Sequence, residues 1–215
     1  MSSAMPRPRS LTPDRIASAA LTVIDRDGLA GFTMRAVATE LSMSAMALYR
    51  YVDDRGELER LVVEGVLDRI DTDPPDPELP WADRVTIMVG RMRAAVAAHP
   101  AIASLVPVHR HRSRAVLRWT ETVLGLLTEA GLTGQRRVVA LRGLLSYLLG
   151  AIQLEHLGPL AGPGTAVLAE LAPEAFPYLA DTARTARHIS PDAEFDGGLA
   201  LFLRGLADPP RPRPG

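Results

Sequence analysis

An all-α fold is what this sequence predicts: a small amino-terminal head of short helices followed by a larger helical bundle. Three observations carry the prediction. Apolar residues recur at one-turn spacing along most of the chain, with no alternating strand pattern and no internal repeat. Hydroxyl and carboxylate residues of the helix-capping type stand directly in front of these stripes. The run Asp71-Thr72-Asp73-Pro74-Pro75-Asp76-Pro77-Glu78-Leu79-Pro80 carries four prolines, cannot be helical, and marks a domain boundary.

The elements follow in order. Thr12-Pro13-Asp14 starts the first helix with a hydroxyl cap, a first-turn proline and an acid at the positive dipole end; Ile16, Ala20, Val23 and Ile24 are its apolar stripe, and Gly28 ends it. Thr33 caps a second helix with Ala36, Val37 and Leu41 on its apolar face. Ser44 caps a third with Ala47, Leu48 and Val52. Only Leu41-Ser42-Met43 lies between, which is enough for a tight turn and nothing else. Asp54 and Glu57 have capping-box spacing for a fourth helix with the stripe Leu58, Leu61, Val62, Val66 and Ile70, leaving the Arg55 side chain free. Beyond the prolines, helices are predicted over 81–98, 101–106, 112–130, 134–157, 165–171, 177–188 and 195–206, punctuated by Pro100, Gly131 and Gly162-Pro163-Gly164. The expected domains are an arm and head over 1–71, a linker over 72–80, a bundle over 81–207 and a disordered tail over 208–215.

Composition narrows the function classes. A chain of 215 residues with 47% hydrophobic residues can bury a sizeable core, and having no cysteine it has neither disulfides nor thiolate metal sites. Arg142, Ser146 and Gln153 interrupt the greasiest region, so no membrane span is expected, and Met1 to Arg9 lacks the apolar segment of a signal peptide. A cytoplasmic protein is the expectation. There is no lysine, and the net charge is −1. Any nucleic-acid affinity must therefore come from a local basic face, with modest non-specific binding and a shallow salt slope.

The second and third helices with their turn have the layout of a helix-turn-helix. The third leaves Ala45, Met46, Tyr49 and Arg50 on or near its outward side, a surface suited to a DNA groove. Ala45, Met46 and Ala47 either meet thymine methyls there or pack internally. Arg7 and Arg9 belong either to a disordered tail or to an arm entering the minor groove. Catalytic and metal readings find little: His99, His109 and His111 lack the spacing that puts two ligands on one helix face and read as a solvated basic connector, and neither Glu155-His156 nor Gly162-Pro163-Gly164 forms a recognisable site. No enzyme activity, metal or cofactor is expected.

The runs Leu41-Ser42-Met43-Ser44, Leu48-Tyr49-Arg50-Tyr51-Val52 and Asp54-Arg55-Gly56-Glu57-Leu58 resemble the signature of the tetracycline-repressor (TetR) family. More weakly, Phe176-Pro177, Phe195 and the stretch from Gly198 to Leu206 resemble the last two helices of the tetracycline-repressor subgroup. The resemblance implies a homodimeric, ligand-responsive regulator, a repressor that binds a palindromic double-stranded DNA operator and is released by a small, largely apolar effector through movement of the fourth helix. It places phosphate contacts at Tyr49, Tyr51 and Arg55 and a guanine-reading arginine at Arg35, within a DNA-contacting set completed by Thr33, Ser44, Ala45, Met46, Ala47 and Arg50.

It also implies a dimer interface on the long helix and the last one, at Leu141, Leu145, Leu148, Leu149, Ile152, Leu199, Phe202 and Leu203, and a ligand pocket in the bundle. Candidate pocket residues are Trp119, Tyr147, Leu148, Ala151, Gln153, Glu155 and Phe176, large or polar side chains in apolar helices, for each of which core packing competes. No histidine aligns with the magnesium ligand of the tetracycline repressor, so tetracycline-magnesium binding is not supported. Ser42 replaces the family's turn glycine and Val52 its usual phenylalanine. Those departures leave a competing reading, a helical dimer that acts through protein partners without binding DNA.

Overall fold

The computed structural model describes residues 11–207, which form helices without a strand. Arg7, Arg9 and the expected tail lie outside the described residues. Two compact units emerge, one running up to Arg69 and including Ser104–Leu117, the other comprising Ile70–Ala103 and the chain from Arg118. The expected contiguous bundle over 81–207 therefore gives up a segment to the first unit.

The head is built by α1 (Pro13–Gly31), α2 (Met34–Glu40), α3 (Ala45–Leu48) and α4 (Arg55–Leu67). Each begins at its predicted cap. Thr12 accepts a hydrogen bond from the Arg15 amide, Thr33 from Ala36, Ser44 from Ala47 and Asp54 from Glu57. The capping box is completed one residue early, because the Glu57 carboxylate accepts from the Asp53 amide at 2.8 Å. Gly28 interrupts α1 at φ +67°, a conformation that suits glycine, and the chain turns there toward the fully buried Phe32. Ile16, Ala20, Val23, Ile24, Val37, Leu48, Leu58 and Val62 join Phe32 in the core. Val52, 1% exposed, sits in it as well. On α4 the buried stripe includes Val63 and Leu67, whereas Leu61 and Val66 are half-buried and the helix stops short of Ile70.

The expectation for the histidines fails in this unit. His109, at the end of the short α6 (Val106–His109), is 8% exposed, and its Nε2 lies 3.2 Å from Glu59 Oε2 on α4. It is an interior partner of α4, not part of a solvated connector.

The second unit contains α5 (Trp81–Ala97), the carboxy-terminal part of α7 (Arg114–Glu129), α8 (Gly134–Leu157), α9 (Pro163–Ala169), α10 (Pro177–Ala186) and α11 (Pro191–Ala207). The proline-rich run belongs to it and is fastened down. Pro75 is buried, Arg91 donates to the carbonyls of Asp71 and Asp73 (3.3 and 2.7 Å), and the Thr122 hydroxyl donates to the Thr72 carbonyl at 2.8 Å. The run is thus an ordered lead-in to α5.

Along α8 the buried residues Ala140, Leu144, Leu148 and Ile152 form a ridge of four-residue spacing, and α8 packs against α5 and α11. Gly143 and Gly198 let α8 and α11 come close: a Cβ on Gly143 would stand 2.6 Å from Phe202, and one on Gly198 would collide with the Tyr147 hydroxyl. By length and hydropathy α8 also qualifies as a membrane-crossing helix, with a mean hydropathy of 1.4, which corrects the expectation that Arg142, Ser146 and Gln153 would prevent this. Helix α11 starts earlier than predicted, because Ser190 caps it through the Ala193 amide and Pro191 occupies its first position.

Candidate nucleic-acid interface and ligand cavity

The turn of the helix-turn-helix depends on Ser42, whose φ of 56° is left-handed in the position where glycine is easiest. After it, α3 is only one turn of regular helix. The Arg50 and Tyr51 amides bond to carbonyls three residues back, a tightening that ends the helix before Val52, earlier than predicted.

The predicted contact residues lie at the surface. Met46 is 77% exposed, Tyr49 49% and Tyr51 48%; Thr33, Arg35, Ser44 and Arg50 are exposed, and Ala45 and Ala47 half-buried. Arg35 and Arg50 form no ion pair among the described residues, whereas Arg26 is held by Asp27 (3.0 Å) and Glu40 (2.9 Å). Hydrogen bonding to those acids raises the Arg26 pKa further and lowers that of Asp27. The head thus presents two uncommitted guanidinium groups, two phenols and an apolar patch.

Arg55 departs from expectation. Its Nε donates to Glu59 at 2.9 Å, its Nη2 donates to the Leu29 carbonyl at 3.2 Å, and its guanidinium lies 5.4 Å from the centre of the Phe32 ring. Its side chain is not free. It ties the end of α1 to α4, and Glu59 divides its two oxygens between Arg55 and His109. Spacing within α4 gave the first of these contacts a sequence signal; the other residues are too distant in sequence to have done so.

In the second unit a cavity of about 260 Å³ opens between α8 and the start of α11, lined by Ser146, Tyr147, Gly150, Ala151, Leu154, Glu155, Pro191, Glu194 and Phe195. Of the predicted pocket residues it brings together Tyr147, Ala151 and Glu155. Trp119 is a correction: it is fully buried in the core with its indole N–H donating to the Met88 carbonyl at 2.7 Å. Leu148 is interior, and Gln153 and Phe176 are exposed away from this lining. Pro191, Glu194 and Phe195 were missed because the apolar stripe of α11 starts only at Phe195.

Arg93 organises the cavity edge. It pairs with Asp192 (2.7 Å) and Glu155 (3.1 Å) while its guanidinium lies 4.4 Å from the centre of the Phe195 ring. Burial lowers its pKa, but the two carboxylates outweigh this and raise it overall. The Tyr147 hydroxyl donates to the Phe195 carbonyl at 2.6 Å, and burial, reinforced by the negative charge of Glu194, raises its pKa.

Four of the predicted dimer residues, Leu148, Ile152, Leu199 and Leu203, are buried within the subunit and are corrected to core. Leu141, Leu145, Leu149 and Phe202 are half-buried. Large apolar side chains left outside on these helices include Val138 (60%), Val139 (61%), Leu154 (65%), Leu157 (79%) and Leu201 (65%), so α8 and α11 retain uncovered apolar surface.

Residues 73–209 match the model of the tetracyclin repressor-like carboxy-terminal domain. The HTH-type transcriptional repressor DrrR1 of Streptomyces coeruleorubidus is 33% identical over 147 residues, 68% of this chain and 54% of its own, so the match spans about half of that relative. The tetracycline repressor protein class A from transposon 1721 of Escherichia coli is 26% identical over 92% of this chain and 91% of its own. Among solved structures, ActR of Streptomyces coelicolor in complex with (S)-DNPA superposes with a TM-score of 0.78 and 27% identity, covering 93% of this chain and 98% of that one.

Proposed function

Because the chain belongs to the tetracycline-repressor (TetR) family, we propose that it represses transcription as a homodimer that binds a palindromic double-stranded DNA operator and releases it when a small molecule occupies the bundle. One observation carries the DNA half of the reading: a left-handed turn followed by a capped helix leaves Arg35, Met46, Tyr49, Arg50 and Tyr51 all exposed. The guanidinium groups and phenols suit phosphate oxygens, with Arg35 offering bidentate contact to a guanine edge. Arg55 contributes by holding α1 to α4.

The departures that favoured a partner-binding protein without DNA affinity are accommodated locally. Ser42 adopts the left-handed turn and Val52 fills its core position. A two-fold dimer through the uncovered face of α8 and α11 would present two heads to half-sites about one DNA turn apart. The effector half rests on the α8–α11 cavity, whose size and walls suit a small, largely apolar molecule with a polar group directed at Glu155, Glu194 or Tyr147. Effector binding changes operator affinity only through its preference for one conformer, typically 1–3 kcal/mol. The protein works in the cytoplasm, without a catalytic role.

Selection of bound sites from random DNA by the full-length protein tests this reading. A consensus with two-fold symmetry is the expected result. Failure to enrich any sequence rejects it.

A further inference from the structure

The outward face of α3 offers base edges an apolar surface. Ala45, Met46 and Ala47 have no hydrogen-bonding side-chain group, and the Ser44 oxygen accepts from the Ala47 amide. Met46 is 77% exposed on a helix one turn long, with little protein around it to pack on. The helix-turn-helix also exposes polar, uncommitted groups: Arg35 and Arg50 carry no ion pair among the described residues, and Tyr49 and Tyr51 are half exposed. A polyanion with small apolar groups recessed between charged ridges is complementary to such a surface. In the major groove that apolar group is the methyl on C5 of a pyrimidine.

We propose, on the DNA-binding reading above, that the Ala45–Met46 surface recognises pyrimidine C5-methyl groups without distinguishing the base that carries them, so that 5-methylcytosine serves in place of thymine. The two bases bear the methyl on the same ring carbon and differ in the groove at position 4, where thymine has a carbonyl acceptor and cytosine an amino donor. Telling them apart takes a polar group over position 4, and Ala45, Met46 and Ala47 supply none. Arg35 reads a base from α2, a different helix. Methylation of an operator cytosine under Met46 is then an input to regulation: the unmethylated site is weak, and the methylated one resembles the thymine site. Burial of one methyl favours binding by about fourfold, and of one in each half-site by about fifteenfold.

The experiment uses the full-length protein and the duplex it selects from random DNA. Each thymine of the half-site is replaced in turn, in both halves, by deoxyuridine, by cytosine and by 5-methylcytosine, with the matching purine opposite the cytosines. At one position or more, deoxyuridine and cytosine should weaken binding about fifteenfold, and 5-methylcytosine should restore it to within about threefold of thymine. Met46→Ser should abolish the difference between thymine and deoxyuridine at that position while leaving the salt slope unchanged. Indifference to deoxyuridine at every thymine, a selected half-site without thymine, or 5-methylcytosine no better than cytosine overturns methyl recognition and leaves sequence-specific DNA binding standing. Absence of selective binding to any duplex overturns both.

Discussion

Head and bundle are each held together internally, by contacts of different range. In the head, four caps act within three residues of themselves, and much of the core comes from stripes whose period can be counted along the chain. In the bundle the decisive contacts join distant residues: Arg93 reaches Glu155 and Asp192, Tyr147 reaches Phe195, and Trp119 reaches Met88. Local chemistry therefore defines a reading surface that varies little with the rest of the molecule, whereas the cavity exists only once several helices have docked.

The largest expected effect tests the bundle side. Trp119→Ala removes a fully buried indole and its hydrogen bond to the Met88 carbonyl, and should cost about 3–5 kcal/mol in urea unfolding. A loss under 1 kcal/mol would mean the bundle does not depend on that contact.

Gly198→Ala comes next, since the added methyl meets the Tyr147 hydroxyl across the α8–α11 contact. A destabilisation of about 1–3 kcal/mol is expected, with operator affinity per folded molecule unchanged. If DNA binding falls in parallel, the reading surface is less local than the caps suggest.

Within the head, Arg50 and Arg55 can be separated. Arg55→Ala should cost about 1 kcal/mol of stability through its lost bonds to Leu29 and Glu59, whereas Arg50→Ala should spare stability and lower the slope of log affinity against log salt by about one for each subunit. Equal salt slopes for the two variants would return Arg55 to the phosphate-binding role first read from the sequence. Ser42→Gly should stabilise the turn by up to about 1 kcal/mol, measurable as a higher Tm with binding intact.

The smallest effect concerns acid. Asp27 has a lowered pKa because Arg26 bonds its charged form, so its contribution is present above its unfolded value of 3.8 and is lost as pH falls through the folded one. Asp27→Asn should flatten the acid limb of the stability curve below about pH 4 and change little at pH 7. An unaltered acid limb would show that this exposed pair contributes nothing.

This difference of range also decides what the sequence disclosed. Thr12, Thr33, Ser44 and Asp54 could each be read as caps because a cap and the amide it serves are neighbours, and Gly28 as a terminator because its backbone demand is its own. Ser42 and Val52 looked like defects, yet each keeps the role of the residue it replaces. By contrast, the burial of His109 against Glu59, fifty positions away, leaves no trace in spacing. The same holds for the lining of the cavity by α11 and for the anchoring of the proline run by Arg91 and Thr122. For the long helix, periodicity announced an apolar surplus but not its orientation, so the interior Leu148 and Ile152 were assigned to the outside.

The pairing of His109 with Glu59 bears on how this molecule may be dissected. Truncation after Asp71, where the prolines invite a cut, would strip α6 from its seat on α4 and leave the Glu59 carboxylate with one partner fewer. An amino-terminal fragment prepared that way would be a damaged head, and weak DNA binding by it would say nothing about the intact chain. A faithful miniature has to graft the Ser104–Leu117 segment back on.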